Sequence, residues 1–321
     1  MVGETWINAT RALSALCCLG ALAACDLISP VTPVLTPQSR PVITRPALVI
    51  KVAQATSEES AQFRSYLRTV QTTQLTSGLL RQDGGGPDTP FTSEMLARNF
   101  EQITFFNEYS TARLPQGASG KLRRWNQPIR FAIEFGASVP RSQRRKDSAD
   151  VAKYAARLTK ATGHPVSVGG PPNFYVLFVG EDDREDVIDE MVGRLPGVEN
   201  ANLSSLRTLS DDIYCAVAAY SAGTDSSVYT AAVAVIRAEN PDLLRLACIH
   251  EELAQAMGLA NDSPSARPSI FNDDDEFALL TTHDELLLKM LYDPRLKAGM
   301  TLPEAKPIIR TITTEFLSGP A

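Results

Sequence analysis

The sequence predicts a single α+β domain over residues 48–321, with a small mixed sheet and one long helix that carries its most informative motif. Three observations lead there. Runs of eight to ten residues with strand character recur at 128–135, 173–180, 213–220 and 227–236. Between and around them lie segments with apolar spacing near 3.6. The two kinds are interleaved without strict alternation, which disfavours a doubly wound sheet.

The elements follow in order. "TSEESAQFRSYLRTVQTTQLTSGLL" reads as a helix capped by Ser57, with Phe63, Leu67 and Val70 on one face. "QDGGGPDTP" (82–90) is a loop. "TSEMLARNFEQITFF" opens on a second capping pattern and is expected to be helical, with a strand at its end as an option. "PIRFAIEF" alternates as a strand. Residues 148–163 form a helix stopped by Gly163. "VGGPPN" (168–173) is a turn, and "NFYVLFVG" a buried strand. A helix over 184–195 precedes two strands joined by "SAGTDS". Residues 241–258 form the long helix, with Pro241 in its first turn and Gly258 at its end. Helices over 283–293 and 302–317 complete the chain, the second expected to break at Pro307.

Composition excludes some functions. With 44% hydrophobic residues the chain is globular, and a net charge of −6 leaves no electrostatic footprint for nucleic acid. The densest basic run, "RSQRR" at 141–145, reads as a solvated loop before a helix. There is no G-x-S-x-G elbow and no P-loop.

The start of the chain points to export. "ALSALCCLGALAA" (12–24) is apolar but too short to span a bilayer, and has the length of a signal-peptide core. It ends in Leu22-Ala23-Ala24-Cys25, which resembles a bacterial lipobox. Residues 1–24 are therefore expected to be a lipoprotein signal peptide, with Cys25 carrying the lipid that anchors the protein to a membrane. Residues 25–47, with prolines at 30, 33, 37, 41 and 46, read as an extended tether. The expected location is the bacterial cell envelope, facing the periplasm, and Asp26 favours the inner membrane. Of five cysteines, Cys215 and Cys248 remain after Cys17, Cys18 and Cys25 are assigned to the leader and anchor. Two buried thiols and a disulfide are both open, and an oxidising compartment favours the disulfide.

The long helix contains "CIHEELAQAMGLAND". A zinc-peptidase helix needs two histidines four apart, a glutamate after the first, and in one large group a glycine turn leading to a third ligand. Taking His250 as first ligand puts Ala254 in the second position, and the match fails. One residue further on, Glu252 takes the place of the catalytic base, and Gly258-Leu259 the place of the turn. The three ligand positions then hold Glu251, Gln255 and Asn261. Carboxylate and amide oxygens suit a hard cation better than zinc. "NDDDE" (272–276) could add oxygens to such a site, although it reads first as a solvated turn.

At these residues the chain resembles a bacterial envelope family known as domain of unknown function 2927, grouped with zincin-like peptidases. The resemblance spans about residues 90–315 and rests most on Ser269-Ile270-Phe271-Asn272-Asp273, Leu291-Tyr292-Asp293-Pro294-Arg295-Leu296 and Gly299-Met300. It implies a zincin-like, metzincin-related fold and an envelope location, and no particular activity.

The remaining histidines are expected elsewhere: His164 in an exposed turn, His283 on the surface of a helix, His250 off the ligand face. A site built from His250, His283 and Asp262 has no recognised spacing. Met290 or Met300 could stand at a methionine turn, though methionine is usually core packing. No cofactor or metal is expected. The reading favoured is a non-catalytic envelope protein that binds a peptide or protein partner. An active metallopeptidase with oxygen ligands, using Glu252, is the alternative, and a purely structural lipoprotein is a third.

Overall fold

The computed structural model describes residues 56–106, 119–191, 194, 203–223, 226–272 and 274–318. The leader, Cys25, Asp26 and the proline-rich tether lie outside the described residues, as does Asp273. Ile50–Ala321 cluster as one compact unit. No helix among the described residues is long and apolar enough to cross a membrane.

The protein is a mixed α+β domain with eight described helices and one six-stranded sheet. The strands are β1 (Arg124–Trp125), β2 (Ile129–Phe135), β3 (Val166–Val168), β4 (Phe174–Val179), β5 (Cys215–Ser221) and β6 (Val228–Arg237). Their order is β1-β6-β4-β2-β3, and β5 also pairs with β6. Every pairing is parallel except β5 on β6. The expected mixed sheet is present, with two short strands, β1 and β3, added to the four that alternation and apolar runs pick out.

The helices are α1 (Glu58–Thr76), α2 (Ser93–Phe105), α3 (Arg141–Thr162), α4 (Arg184–Met191), α5 (Ser204–Arg207), α6 (Asp242–Gln255), α7 (Thr282–Leu291) and α8 (Leu302–Leu317). The larger core lies on one sheet face, where Phe131, Phe174 and Phe178 meet Phe100 of α2, Tyr154 of α3, Ile249 of α6, Leu287 of α7 and Ile312 of α8. On the other face Tyr175, Leu177 and Val179 pack under Ile188 of α4 and Leu206 of α5. Covering both faces explains why β4 reads as an unbroken apolar run, since all six of its residues are buried.

Two expectations are corrected here. "RSQRR" is not a loop but the first turn and more of α3. Pro140 fixes the entry backbone for a helix, and the Arg144 guanidinium donates to the carbonyls of Val139 and Gly136 at 2.7 Å each, tying the run to the end of β2. Pro307 does not break α8. It lies in the second turn, where it removes one hydrogen bond. The reciprocal Thr301/Glu304 cap and the buried face Ala305, Ile309 and Ile312 hold the helix across it.

The other caps behave as read. Ser57 accepts from the Ser60 N–H at 3.0 Å, Thr92 accepts from Met95, and Gly163 ends α3 with φ of 69°. Helix α2 stops at Phe105, and residues 107–118 are outside the described set.

Candidate functional site: a cleft between the edge strand and the motif helix

Helix α6 leaves the end of β6 and runs back beneath β5. Its last helical residue is Gln255, and the chain turns through Ala256 and Met257 to Gly258. Carbonyls at a helix end have no intrahelical partners. Here Trp125 donates its indole N–H to the Ala256 carbonyl at 2.8 Å, and the Tyr292 hydroxyl donates to the Met257 carbonyl at 3.1 Å. Higher in the helix, the Tyr154 hydroxyl donates to the His250 carbonyl at 2.7 Å. Gly258 has φ of 127°, and a Cβ there would lie 2.2 Å from the Arg123 carbonyl oxygen. No side chain fits, which gives the glycine a structural reason independent of any ligand.

The segment after the turn is fixed from α7. Asp284 accepts from the Ser269 hydroxyl at 2.6 Å, from the Ile270 N–H at 3.1 Å and from the Thr281 N–H at 2.9 Å. A capping carboxylate thus holds the 269–271 loop to the start of α7. Together with Tyr292, this accounts for two of the sequence motifs by local hydrogen bonding.

Between these parts lies a cleft of about 340 Å³. One wall is the start of β5 with Ile213 and Tyr214, the floor is α6, and the far wall is 262–278 with Leu80. Five carboxylate residues line it, Asp212, Glu251, Glu252, Asp262 and Asp275, and no Lys, Arg or His does among the described residues. Glu252 is 5% exposed and Glu251 half-buried. Gln255 faces the same space, its amide 3.4 Å from the Asp262 carboxylate. Burial raises the Tyr214 phenol above its ordinary range, and the carboxylates of Asp275 and Asp212 add to that.

Of the residues singled out by spacing, Glu251, Glu252 and Gln255 share this cleft, but Asn261 does not line it. The Asn261 amide donates to the carbonyls of Gln102 and Asp262 at 3.2 and 2.8 Å, and its neighbour Asp262 faces the cleft instead. Asn272 and Asp275 of the acidic loop reach the cleft, whereas Glu276 pairs with Arg81 and Arg267. Met290 is core, and Met300 is half-buried.

The histidines need correction. His283 is not on the surface: it is 0% exposed, with Nε2 3.0 Å from the Asn99 amide and its ring edge-on to Phe91. His164 is half-buried, its ring against Tyr292 and its Nε2 2.9 Å from the Gln127 carbonyl. His250 stacks on Tyr154 at 4.1 Å, and its Nδ1 accepts from the Leu280 N–H at 3.0 Å. None of the three lines the cleft.

A zinc ion does not fit the donors present. Cys215 Sγ and the carboxylates of Glu251 and Glu252 lie within 4.8 Å of one another, but that sulfur is bonded to Cys248 and cannot serve as a thiolate. What remains is oxygen from carboxylates and from the amides of Gln255 and Asn272.

The Cys215–Cys248 disulfide is present, with its sulfurs on the cleft floor. It ties the first residue of β5 to the second turn of α6, closing a loop of 33 residues. Cys215→Ser with Cys248→Ser is expected to lower stability by about 2–4 kcal/mol. Thermal unfolding of the oxidised protein and this variant measures it, and equal midpoints would refute the expectation.

Burial holds His250 down at about 3, with the positive charges of Arg157 and Lys153 adding to the effect. Its folded pKa lies below its unfolded one. Neutral imidazole is therefore held in the fold while the unfolded chain takes a proton below about pH 6.5. The stability from this group is complete above that pH and is lost as pH falls toward 3. The loss is about 2 kcal/mol at pH 5. His250→Asn, which keeps an acceptor near the Nδ1 position, should flatten this part of the acid profile. Parallel pH profiles of wild type and variant would contradict the assignment.

No curated protein and no solved structure matches the chain. A family model described as "Protein of unknown function (DUF2927)" matches residues 93–311, which is more than half of the 321 residues. The matched span opens at the start of α2, closes within α8 and includes every residue lining the cleft except Leu80, and the chain belongs to that family.

Proposed function

We propose that this is a lipid-anchored envelope protein of zincin-like fold whose cleft binds an extended, basic peptide segment of a partner protein without cleaving it. The observation that carries the reading is the pairing of an open strand edge with an acidic floor. The Arg237 N–H donates to the Tyr214 carbonyl, while the Ala232 N–H donates to Asn173 at the start of β4. Odd-numbered residues of β6 thus bond β5, and even-numbered ones bond β4. By the alternation of an antiparallel ladder, the N–H and C=O of Cys215, Val217 and Ala219 face the outer edge. No strand among the described residues pairs there, and all seven residues of β5 are half-buried.

An extended peptide can add to such an edge through its main chain, and its Lys or Arg side chains complement the carboxylates below. The antiparallel edge strand beside the motif helix, and the glycine turn that ends that helix, support the zincin-like reading. Glu252 stands where a peptidase has its base, but the donors around it do not assemble a zinc site, which supports binding without hydrolysis.

The test uses the purified protein with Lys- and Arg-rich peptides and acidic peptides of equal length. Basic peptides should bind, weaken with salt, and be recovered whole by mass spectrometry. Cleavage that disappears in Glu252→Gln would overturn the non-catalytic reading in favour of a metallopeptidase with oxygen ligands. For the anchor, Cys25→Ala should move the protein from the membrane to the soluble fraction, and continued membrane association would refute lipidation at that residue.

A further inference from the structure

The disulfide is what keeps zinc from the donors on the cleft floor. Cys248, Glu251 and Glu252 follow one another at spacings of three and one, so α6 presents all three on one face. The start of β5 sets Cys215 opposite them, and all four residues line the cleft. Cys215 Sγ and one oxygen each from Glu251 and Glu252 lie within 4.8 Å of one another. Donors on one tetrahedral zinc stand about 3.4–3.6 Å apart, which follows from Zn–S near 2.3 Å and Zn–O near 2.1 Å. Small side-chain rotations of two glutamates close that difference. This set is not the one that peptidase spacing marks out. It keeps Glu251 but not Gln255 or Asn261, takes Glu252 as a ligand, and draws its sulfur from a strand. Two carboxylates alone suit a hard cation, whereas a thiolate with two carboxylates suits zinc.

The two sulfurs differ in their surroundings. Cys215 is half-buried at the cleft, while Cys248 is 2% exposed and accepts from the Asn240 amide at 3.6 Å. A dithiol reductant therefore reaches Cys215 first. Its thiolate bonds to Cys215 Sγ as the bond to Cys248 breaks. The electron pair leaves on Cys248, beside the Asn240 N–H, and takes up a proton there. The second thiol of the reductant then displaces Cys215 and closes the reductant's own disulfide. Two electrons and two protons pass from the dithiol to the protein, leaving two thiols on the cleft floor.

We propose that reduction of the Cys215–Cys248 bond by a dithiol turns the cleft floor into a zinc site, with the Cys215 thiolate, Glu251 and Glu252 as its three protein ligands. Zinc displaces the Cys215 proton as it binds. It binds the reduced form alone, so it holds the pair open against reoxidation, and oxidation expels the metal. The site needs neither a bound peptide nor a lipid anchor.

Zinc binding to the whole protein, measured by competition with a chromophoric chelator, tests this. One sample is reduced with dithiothreitol and desalted without oxygen, and the other is left oxidised. The reduced protein should hold one zinc at least about a hundredfold more tightly than the oxidised protein. Co²⁺ in its place should show a sulfur-to-cobalt charge-transfer band. Cys248→Ser should bind zinc with no reductant, whereas Cys215→Ser, which also lacks the disulfide, should not. Cys17, Cys18 and Cys25 are common to both variants, so the difference belongs to Cys215. Glu251→Gln should weaken zinc in the reduced protein at least about tenfold. Equal zinc affinity of the oxidised and reduced protein would overturn the proposal, as would equal binding by the two serine variants. Circular dichroism follows the fold in each state. A reduced protein that unfolds and does not refold with zinc would overturn the proposal as well.

Discussion

Arg245→Ala is expected to destabilise the protein by about 3–5 kcal/mol, enough to unfold much of it near its working temperature. Arg245 is 3% exposed and Asp147 1% exposed, and they meet at 2.7 Å between α6 and α3. Burial raises the Asp147 carboxyl, and the charge of Arg245 works against that rise. The guanidinium also donates to the Asn240 carbonyl at 2.6 Å and to Asp242 at 2.8 Å. Removing it leaves a carboxylate and a carbonyl without their donor in the interior. Asp147→Asn with Arg245→Met removes both charges and should recover much of the loss, because the penalty lies in the stranded partner rather than in the absent attraction. Urea unfolding of wild type and the two variants checks this. Equal losses in the single and the paired variant would show that packing, not stranded charge, sets the effect.

The second large effect concerns the cleft. Glu251→Lys with Asp275→Lys should weaken binding of basic peptides by at least about a hundredfold. Two reversals change the charge of the lining from five acids to three acids and two bases. Each close pair converted from attraction to repulsion is worth about 1–2 kcal/mol at this degree of exposure. Glu251 is half-buried and Asp275 exposed, so the fold should tolerate both. Binding measured at two salt concentrations separates this from a local collapse, since the binding that remains should depend only weakly on salt. An unchanged preference for basic peptides would place recognition elsewhere.

How much of this was legible beforehand follows from the range of each cause. Ser57, Thr92 and Gly163 act on their own helix ends, so a few adjacent residues suffice to read them. Strands β2, β4, β5 and β6 carry their own periodicity, whereas β1 and β3, of two and three residues, carry none and exist only through their neighbours. "RSQRR" misled because charge looks like solvation until the Arg144 guanidinium is seen to close the end of β2. His283 misled for the same reason, since Asn99 and Phe91, which enclose it, come from α2 and the loop before it. In the cleft, helical spacing brings Glu251, Glu252 and Gln255 together. It cannot foresee that Asp262, not Asn261, turns inward, because that depends on Gln102 of α2. The Cys215–Cys248 bond was reachable by elimination, but its place on the cleft floor was not.

Hydrogen exchange at β5 reports whether a peptide adds to its open edge. With saturating basic peptide, the amides of Val217 and Ala219, which face the open edge, should become protected, and the peptide should remain intact. Unchanged exchange at those amides in the presence of bound peptide, or a peptide cut in a Glu252-dependent way, would contradict the account.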